Sequence, residues 1–277
     1  MDLKEKYKDD IEFLISKRDA QGADYWAAPG PNIGKGSPFS TRDAGLILAE
    51  LGFGPRDKVV NDMAEMIFSL QRPDGRFRIA PSGGMYPCQT IGVLRLLCYL
   101  GYQGDERLKS TLRYMLESPE HEGGWKCNKF SFGRGPDTLY PNPGPTLEAL
   151  DALRFFDPAE TAAVTEPAVE FLLWHRTYKK PVGPCFFGMG SLFHKTEFPF
   201  FRYNLFYYTF VLSFYDKARQ DPRFMEVFNM LKTKLYDGKM VVENPNRRLA
   251  GMAFCFKGKT SDAATRRYLE IEKNMAG

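Results

Sequence analysis

No stretch of the 277-residue chain approaches the length of a membrane span, and Met1-Asp-Leu-Lys-Glu-Lys6 opens on charge where a secretion signal would carry an apolar core. The five cysteines (Cys88, Cys98, Cys127, Cys185, Cys255) are an odd set without framework spacing, so reduced thiols in a cytoplasmic protein are expected rather than disulfides. Charge of one sign is not in excess either. The net +4 is spread along the chain, which argues against nucleic acid or an acidic membrane surface as a partner.

What is present is an ordinary soluble balance, 43% hydrophobic and 26% charged, with a length ample for a sizeable core. Aromatic residues, at 14%, are the unusual figure, and they concentrate in particular stretches. The most telling stretch is Glu122-Gly-Gly-Trp-Lys-Cys127 with the long run behind it to Pro145. To its left, residues 105–116 carry Leu108, Leu112, Met115 and Leu116 at helical spacing, with Glu106, Arg113 and Glu117 on the other side. To its right, residues 146–156 are helix-like and much more apolar.

The same unit recurs. Amphipathic helices are expected over 3–17, 57–70, 105–116, a segment ending near Trp174-His175, and 223–235. Oily helices are expected over 41–51, 90–100, 146–156 and 204–215, and a last helix over 261–273 has Ser261 as its N-cap. Gly75, Gly123, Gly183 and Gly238 mark equivalent turns roughly 50 to 60 residues apart, the spacing of a helical-hairpin array. A generic bundle of similar helices is the competing reading, but register, stop signal and glycine turn recur together.

Connections from oily to amphipathic helix are short, as in Gly52-Phe-Gly-Pro-Arg56. Those in the other direction, including the Gly/Pro-rich loop from Gly22 to Ser40, run to roughly 20 to 30 residues, far beyond the usual helix connection. In an array of antiparallel hairpins the long loops emerge at one end, where function is expected. Helices apolar nearly all round belong to an inner layer and the amphipathic ones to an outer layer. The expected fold is all-α: residues 1–277 as a single α/α toroid of repeated helical hairpins around a central cavity, with an open solenoid as the competing shape.

Gln71-Arg-Pro-Asp-Gly-Arg-Phe77 and Glu122-Gly-Gly-Trp125 resemble the glutamine–tryptophan repeats of squalene–hopene cyclases and the related repeats of protein prenyltransferase β subunits. Phe77 stands where the repeat usually has Trp; Gly183-Pro-Cys-Phe186 and Asp237-Gly-Lys-Met240 keep the turn and lose the Trp. The resemblance covers about Thr41 to Lys273 and implies the toroid fold. It does not supply the chemistry. The Asp-x-Asp-Asp cluster of class II cyclases, the Asp-Asp-x-x-Asp of ionisation-type terpene synthases and the Asp-x-Cys zinc element of prenyltransferases are all missing. Asp9-Asp10-Ile-Glu12 is the nearest acidic string, on the first amphipathic helix, where a solvated face is its reading.

Candidate site residues therefore come from position. Inner helices point their N-termini at the loop end, where Arg78, Lys126, Lys129, Arg134 and Arg202 also lie, a setting for a diphosphate or carboxylate head group. The alternative for each is a solvated loop charge. The aromatic excess over residues 186–215 suits an isoprenoid tail or a carbocation, with core packing as its other explanation. Tyr86, Trp125, Phe130, Tyr203 and Tyr207 are its expected ligand contacts. Cys127, Cys185 and His194 compose a Cys/Cys/His set of the kind that holds catalytic zinc, against a reading of the thiols as small buried groups. Arg95 and Asp151 stand at matching heights on inner helices: either a structural ion pair, or in Asp151 a cavity-facing acid with Glu148 one turn earlier.

Two classes of function follow. One is an enzyme of the terpenoid cyclase or prenyltransferase kind acting on an apolar, isoprenoid-like ligand such as a prenyl diphosphate, started by a non-family acid or an anchored leaving group. The other is a non-catalytic toroid that binds lipid or protein. A subunit that needs a partner chain, as prenyltransferase β subunits do, is a third arrangement.

Overall fold

A computed structural model of the chain describes residues 2–19, 26, 32–82, 84–127 and 129–277. Residues 22–25 and 27–31 of the expected Gly22–Ser40 loop lie outside the described residues. The chain divides into two compact units, residues 1–117 and 118–277.

In the first unit the helices are α1 (Leu3–Lys6), α2 (Lys8–Asp19), α3 (Thr41–Glu50), α4 (Lys58–Phe68), α5 (Pro87–Tyr99) and α6 (Leu108–Glu117). Every residue of α5 from Gln89 to Cys98 is buried. By contrast α4 buries only the stripe Val60, Met63, Ala64, Ile67 and Phe68, and α6 only Leu108, Thr111 and Met115. The oily helices α3 and α5 pack on each other, with α4 against α3 and α6 against α5. That is the two-layer arrangement the periodicity predicts, each fully buried leucine contributing about 1.5–3 kcal/mol.

The second unit holds α7 (Pro143–Leu153), α8 (Pro158–Tyr178), α9 (Leu205–Leu212), α10 (Asp216–Arg219), α11 (Pro222–Lys232), the hairpin β1 (Leu235–Tyr236) and β2 (Lys239–Met240), and α12 (Asp262–Ala276). All eight residues of α9 are buried; it packs against α7, α11 and α12, while α7 packs on α8. The hairpin turns on Asp237 and Gly238 at φ 49° and 69°, the two positive values that a two-residue type I′ turn requires.

One contact recurs at the turns and explains the repeat. The backbone N–H two residues beyond Gly75 and Gly123, on Phe77 and Trp125, donates to the hydroxyls of Thr90 and Thr146 on the next inner helix, each at 3.0 Å. Trp26 does the same to Thr41 at 3.2 Å, and Met240 to Thr265 on α12 at 3.0 Å. At Thr41, Thr90 and Thr146 a threonine on an oily helix thus satisfies a buried donor that the preceding turn would otherwise strand; the contact on α12 is part-buried. Gly75 and Gly123 sit at φ 82° and 81° because an outer helix runs against them: an added Cβ would meet Ser110 O at 2.3 Å and Pro167 O at 2.5 Å.

The long connections touch one another inside each unit. In the first, Ile33 N–H donates to Ile79 O at 2.8 Å. In the second, the 118–142 loop meets the 179–204 loop through Phe132 N–H to Pro184 O and Gly183 N–H to Asp137 O, both 2.9 Å. The 179–204 loop meets the 233–261 loop through Thr196 Oγ1–H to Val241 O at 2.6 Å. Each unit therefore gathers its long loops on one side.

Candidate functional site

The inner helices of the second unit carry a buried ionic network. Asp151 on α7 is fully buried; its Oδ1 accepts from Arg154 Nε at 2.8 Å and its Oδ2 from the Tyr207 hydroxyl on α9 at 2.9 Å. Arg154 follows Asp151 by one helical turn, a spacing that lets the two side chains meet on one face. The guanidinium lies over the rings of Phe155, Phe214 and Phe210, at 4.1, 4.3 and 5.2 Å from their centroids. Aromatic faces in this unit thus already hold one positive charge. Glu148, one turn before Asp151 on the same helix, is half-buried.

Around Tyr207 the aromatics of residues 198–210 pack ring on ring. Phe200 stands 4.9 Å from Phe206, 5.0 Å from Tyr207, 5.2 Å from Phe210 and 5.7 Å from Phe198. These rings are core, the other explanation of the aromatic excess. Tyr203 donates its hydroxyl to Nδ1 of fully buried His175 at 3.0 Å, while His175 Nε2–H donates to Lys180 O at 3.0 Å. Burial pushes His175 down to about 4, so the imidazole is neutral.

The predicted basic residues have separate employments. Arg78 donates to Pro81 O at 2.8 Å. Lys129 lies 5.1 Å from the ring centroid of Phe130, which is 47% exposed and stacked on Phe132. Lys126 faces Glu120 at 3.6 Å, Arg134 is exposed, and Arg202 pairs with Glu197 at 2.8 Å. Glu197 is buried and pushed up to about 7 despite that pair. Arg202 is half exposed, so water screens its charge and desolvation of the carboxylate wins. Tyr86 serves as N-cap of α5, its N–H donating to Gln89 Oε1 at 3.1 Å, and Trp125 is a buried core residue.

The Cys127, Cys185 and His194 set is brought together only in part. Cys185 Sγ lies 3.6 Å from Cys127 O, and the two thiols interact. Burial, with the neighbouring Cys127 adding to it, pushes the Cys185 thiol up to about 11, away from the thiolate that binds metal. His194 stands instead against Phe193 at 5.3 Å, in the positive field of Arg176, Lys179 and Lys234, a poor place for another cation. Among the described residues no group of three His, Cys, Asp or Glu side chains is disposed to hold a metal ion.

A pocket of about 260 Å³ lies elsewhere in this unit, between the end of α7, the first half of α8 and the α9–α10 corner. Leu153, Arg154, Val169, Phe214 and Tyr215 line it, with Glu166 and Lys217, and none of its lining residues belongs to the long loops. Arg154 therefore reaches from the pocket wall to buried Asp151. The residues that sequence reasoning did not single out are Arg154, His175, Arg176 and Glu197. Arg154 had a usable signal, its i+3 spacing from an aspartate on an oily helix; the others owe their environment to tertiary packing.

Two layers of helices, threonine-anchored glycine turns and grouped long loops define an all-α protein of the α/α-toroid class, with a terpene cyclase-like fold. No family model and no curated protein matches the chain. Among solved structures it is similar to the type II terpene cyclase MstE from Scytonema without ligand, at TM-score 0.54 and 13% identity, over 98% of this chain and 73% of that one. An aspartate-to-asparagine variant of MstE holding its substrate geranylgeranyl dihydroxybenzoate matches at TM-score 0.54 and 14% identity, over 99% and 77%. A complex with the product merosterolic acid A matches at 0.52 and 13%, over 99% and 78%. At such identities the likeness is one of fold. No helix among the described residues is long and apolar enough to cross a membrane.

Proposed function

We propose that residues 1–277 act as one domain that binds an apolar, isoprenoid-like ligand, as an enzyme of the terpene cyclase or prenyltransferase kind. The observation that carries the reading is the Tyr207–Asp151–Arg154 network on inner helices of a terpene cyclase-like fold, an arrangement in which aromatic faces and a buried carboxylate both favour positive charge. MstE binds a geranylgeranyl substrate, which supports the ligand class. In this reading Asp151 stabilises cationic character developing on the ligand. A carboxylate that accepts from a guanidinium and a phenol is a poor proton donor, which leaves half-buried Glu148 as the candidate acid. Within the second unit, Lys129, Arg134 and Arg202 would serve a polar head group, with Phe130 and Tyr203 against the apolar part. A prenyl diphosphate and a partner subunit belong to the same proposal.

The test is turnover. Incubation with linear polyprenes and prenyl diphosphates of about ten to thirty carbons, apolar chains of the kind a concave apolar pocket takes, should give a cyclised or transferred product by gas chromatography–mass spectrometry, lost in Glu148→Gln and Asp151→Asn. Saturable binding of the same compounds without product would establish the second reading, a lipid-binding toroid. The missing Asp-rich motifs and the occupied Asp151 favour that second reading. Neither product nor binding would overturn both.

A further inference from the structure

At the loop side of the second unit, two buried nitrogens have no hydrogen-bond partner among the described residues: Nε of Arg176 near the end of α8, and Nδ1 of His194 in the 179–204 loop. Arg176 is 7% exposed, and its nearest carboxylate, Glu226, stands 3.6 Å from Nη2 and is itself 72% exposed. That is beyond hydrogen-bond distance, and solvent screens the glutamate. A buried guanidinium N–H left unmade costs more than a hydrogen bond usually contributes.

The surroundings are positive and already committed. Arg176, Lys179 and Lys234 all act on the His194 ring, which burial first and their field second hold below its ordinary range. Lys234 is balanced by Glu243 at 3.0 Å, and Lys195 faces the same carboxylate at 3.9 Å. Lys179, exposed at the left-handed C-cap of α8, has no acidic partner among the described residues. The neighbouring hydroxyls are spoken for: Tyr203 donates to His175, and Tyr208 to Leu172 O at 3.0 Å. Cations at a helix C-terminus do complement its dipole. The dipole supplies no acceptor to Arg176 Nε or His194 Nδ1, so it does not explain them.

We infer that Arg176, His194 and Lys179 form a binding site for a phosphate-class oxyanion. The guanidinium edge, the imidazole in its Nδ1–H form and an exposed ammonium are donors suited to tetrahedral oxygens, and positive neighbours around a half-buried ring favour an anion over a cation there. This site does not rest on the apolar-ligand reading. A free phosphate and the head group of a larger ligand share the chemistry, and the probe separates them by size.

Titration calorimetry of the full chain with inorganic phosphate, inorganic diphosphate and acetate, at low and at physiological salt, tests the site. One saturable diphosphate or phosphate site per chain is expected, with acetate weaker, and with affinity falling about tenfold in Arg176→Gln and severalfold in Lys179→Ala. Preference for diphosphate over phosphate would point to a head group, and the reverse to the free ion. Should Arg176→Gln fail to fold, the exposed Lys179→Ala and the His194 ring resonances carry the test; those resonances should shift on adding diphosphate. Absence of saturable binding at millimolar anion, or binding unchanged in Lys179→Ala with unmoved His194 resonances, would overturn the inference.

Discussion

The Tyr207 hydroxyl donates to Asp151 at 2.9 Å, tying inner helix α9 to inner helix α7 through two buried side chains. Arg154 completes the contact from the other oxygen, with its side chain 10% exposed. Asp151→Leu leaves the guanidinium without that carboxylate and should cost about 3–5 kcal/mol in urea unfolding. Tyr207→Phe should cost about 1–2 kcal/mol. The pair Asp151→Leu with Arg154→Met should recover most of the loss, because a well-packed apolar pair replaces the buried ions. If the double variant is no more stable than Asp151→Leu alone, the network is not the source of the cost.

Two buried groups oppose each other in pH dependence. His175 drops from 6.5 to about 4 in the folded state, so the unfolded chain binds more protons and stability falls as pH decreases through that interval. Glu197 rises from 4.5 to about 7, so its effect has the opposite sign, and stability falls as pH increases through that interval. Each amounts to about 3 kcal/mol at full span, and between pH 5 and 6.5 they largely offset. Glu197→Gln should therefore steepen the loss of stability from pH 6.5 to 5, and His175→Gln should reverse it, both read from urea midpoints.

The glycine turns separate clash from strain. Gly75→Ala and Gly123→Ala add a Cβ against the backbone of a neighbouring helix and should each cost at least about 2 kcal/mol. Gly238 has a comparable φ of 69° with nothing within 4 Å of the added carbon, so Gly238→Ala should cost only about 1 kcal/mol. Thermal midpoints of the three variants check the order.

The Cys185 thiol, pushed up to about 11, should react slowly. Its alkylation by iodoacetamide at pH 7.5 should run about a hundredfold slower than that of a free thiol, accelerating steadily up to pH 10. Peptide mass spectrometry over time reads the rate at that site.

Much of this fold is legible in the sequence because one physical pattern repeats: an all-round apolar helix, a short stop, a striped helix, a glycine turn. Helix starts were misplaced for a reason the structure supplies. Thr90 and Thr146 look like helix openers, yet α5 and α7 begin three residues earlier at Pro87 and Pro143, where proline suits the first turn. Their hydroxyls serve the preceding turns instead. The first amphipathic segment is interrupted at Tyr7, and α10 is too short to carry a periodic signal. The candidate site was less legible. Asp151 was found from its place on an inner helix, but its partner Tyr207 lies 56 residues away and periodicity says nothing of that pairing. Spacing in the sequence places Cys127 and Cys185 at equivalent turns, and the structure brings these two together, but it says nothing of where the His194 ring goes.

The central claim is an apolar, isoprenoid-like ligand. Mass spectrometry of the lipid extracted from the purified full chain tests it most directly, against a parallel extract of an unrelated protein of the same size. One polyprenyl or cyclised terpenoid species enriched near one equivalent per chain, and lowered in Asp151→Leu with Arg154→Met, is the predicted result. A protein that carries no enriched lipid, and takes up none when incubated with geranylgeranyl compounds, would contradict it.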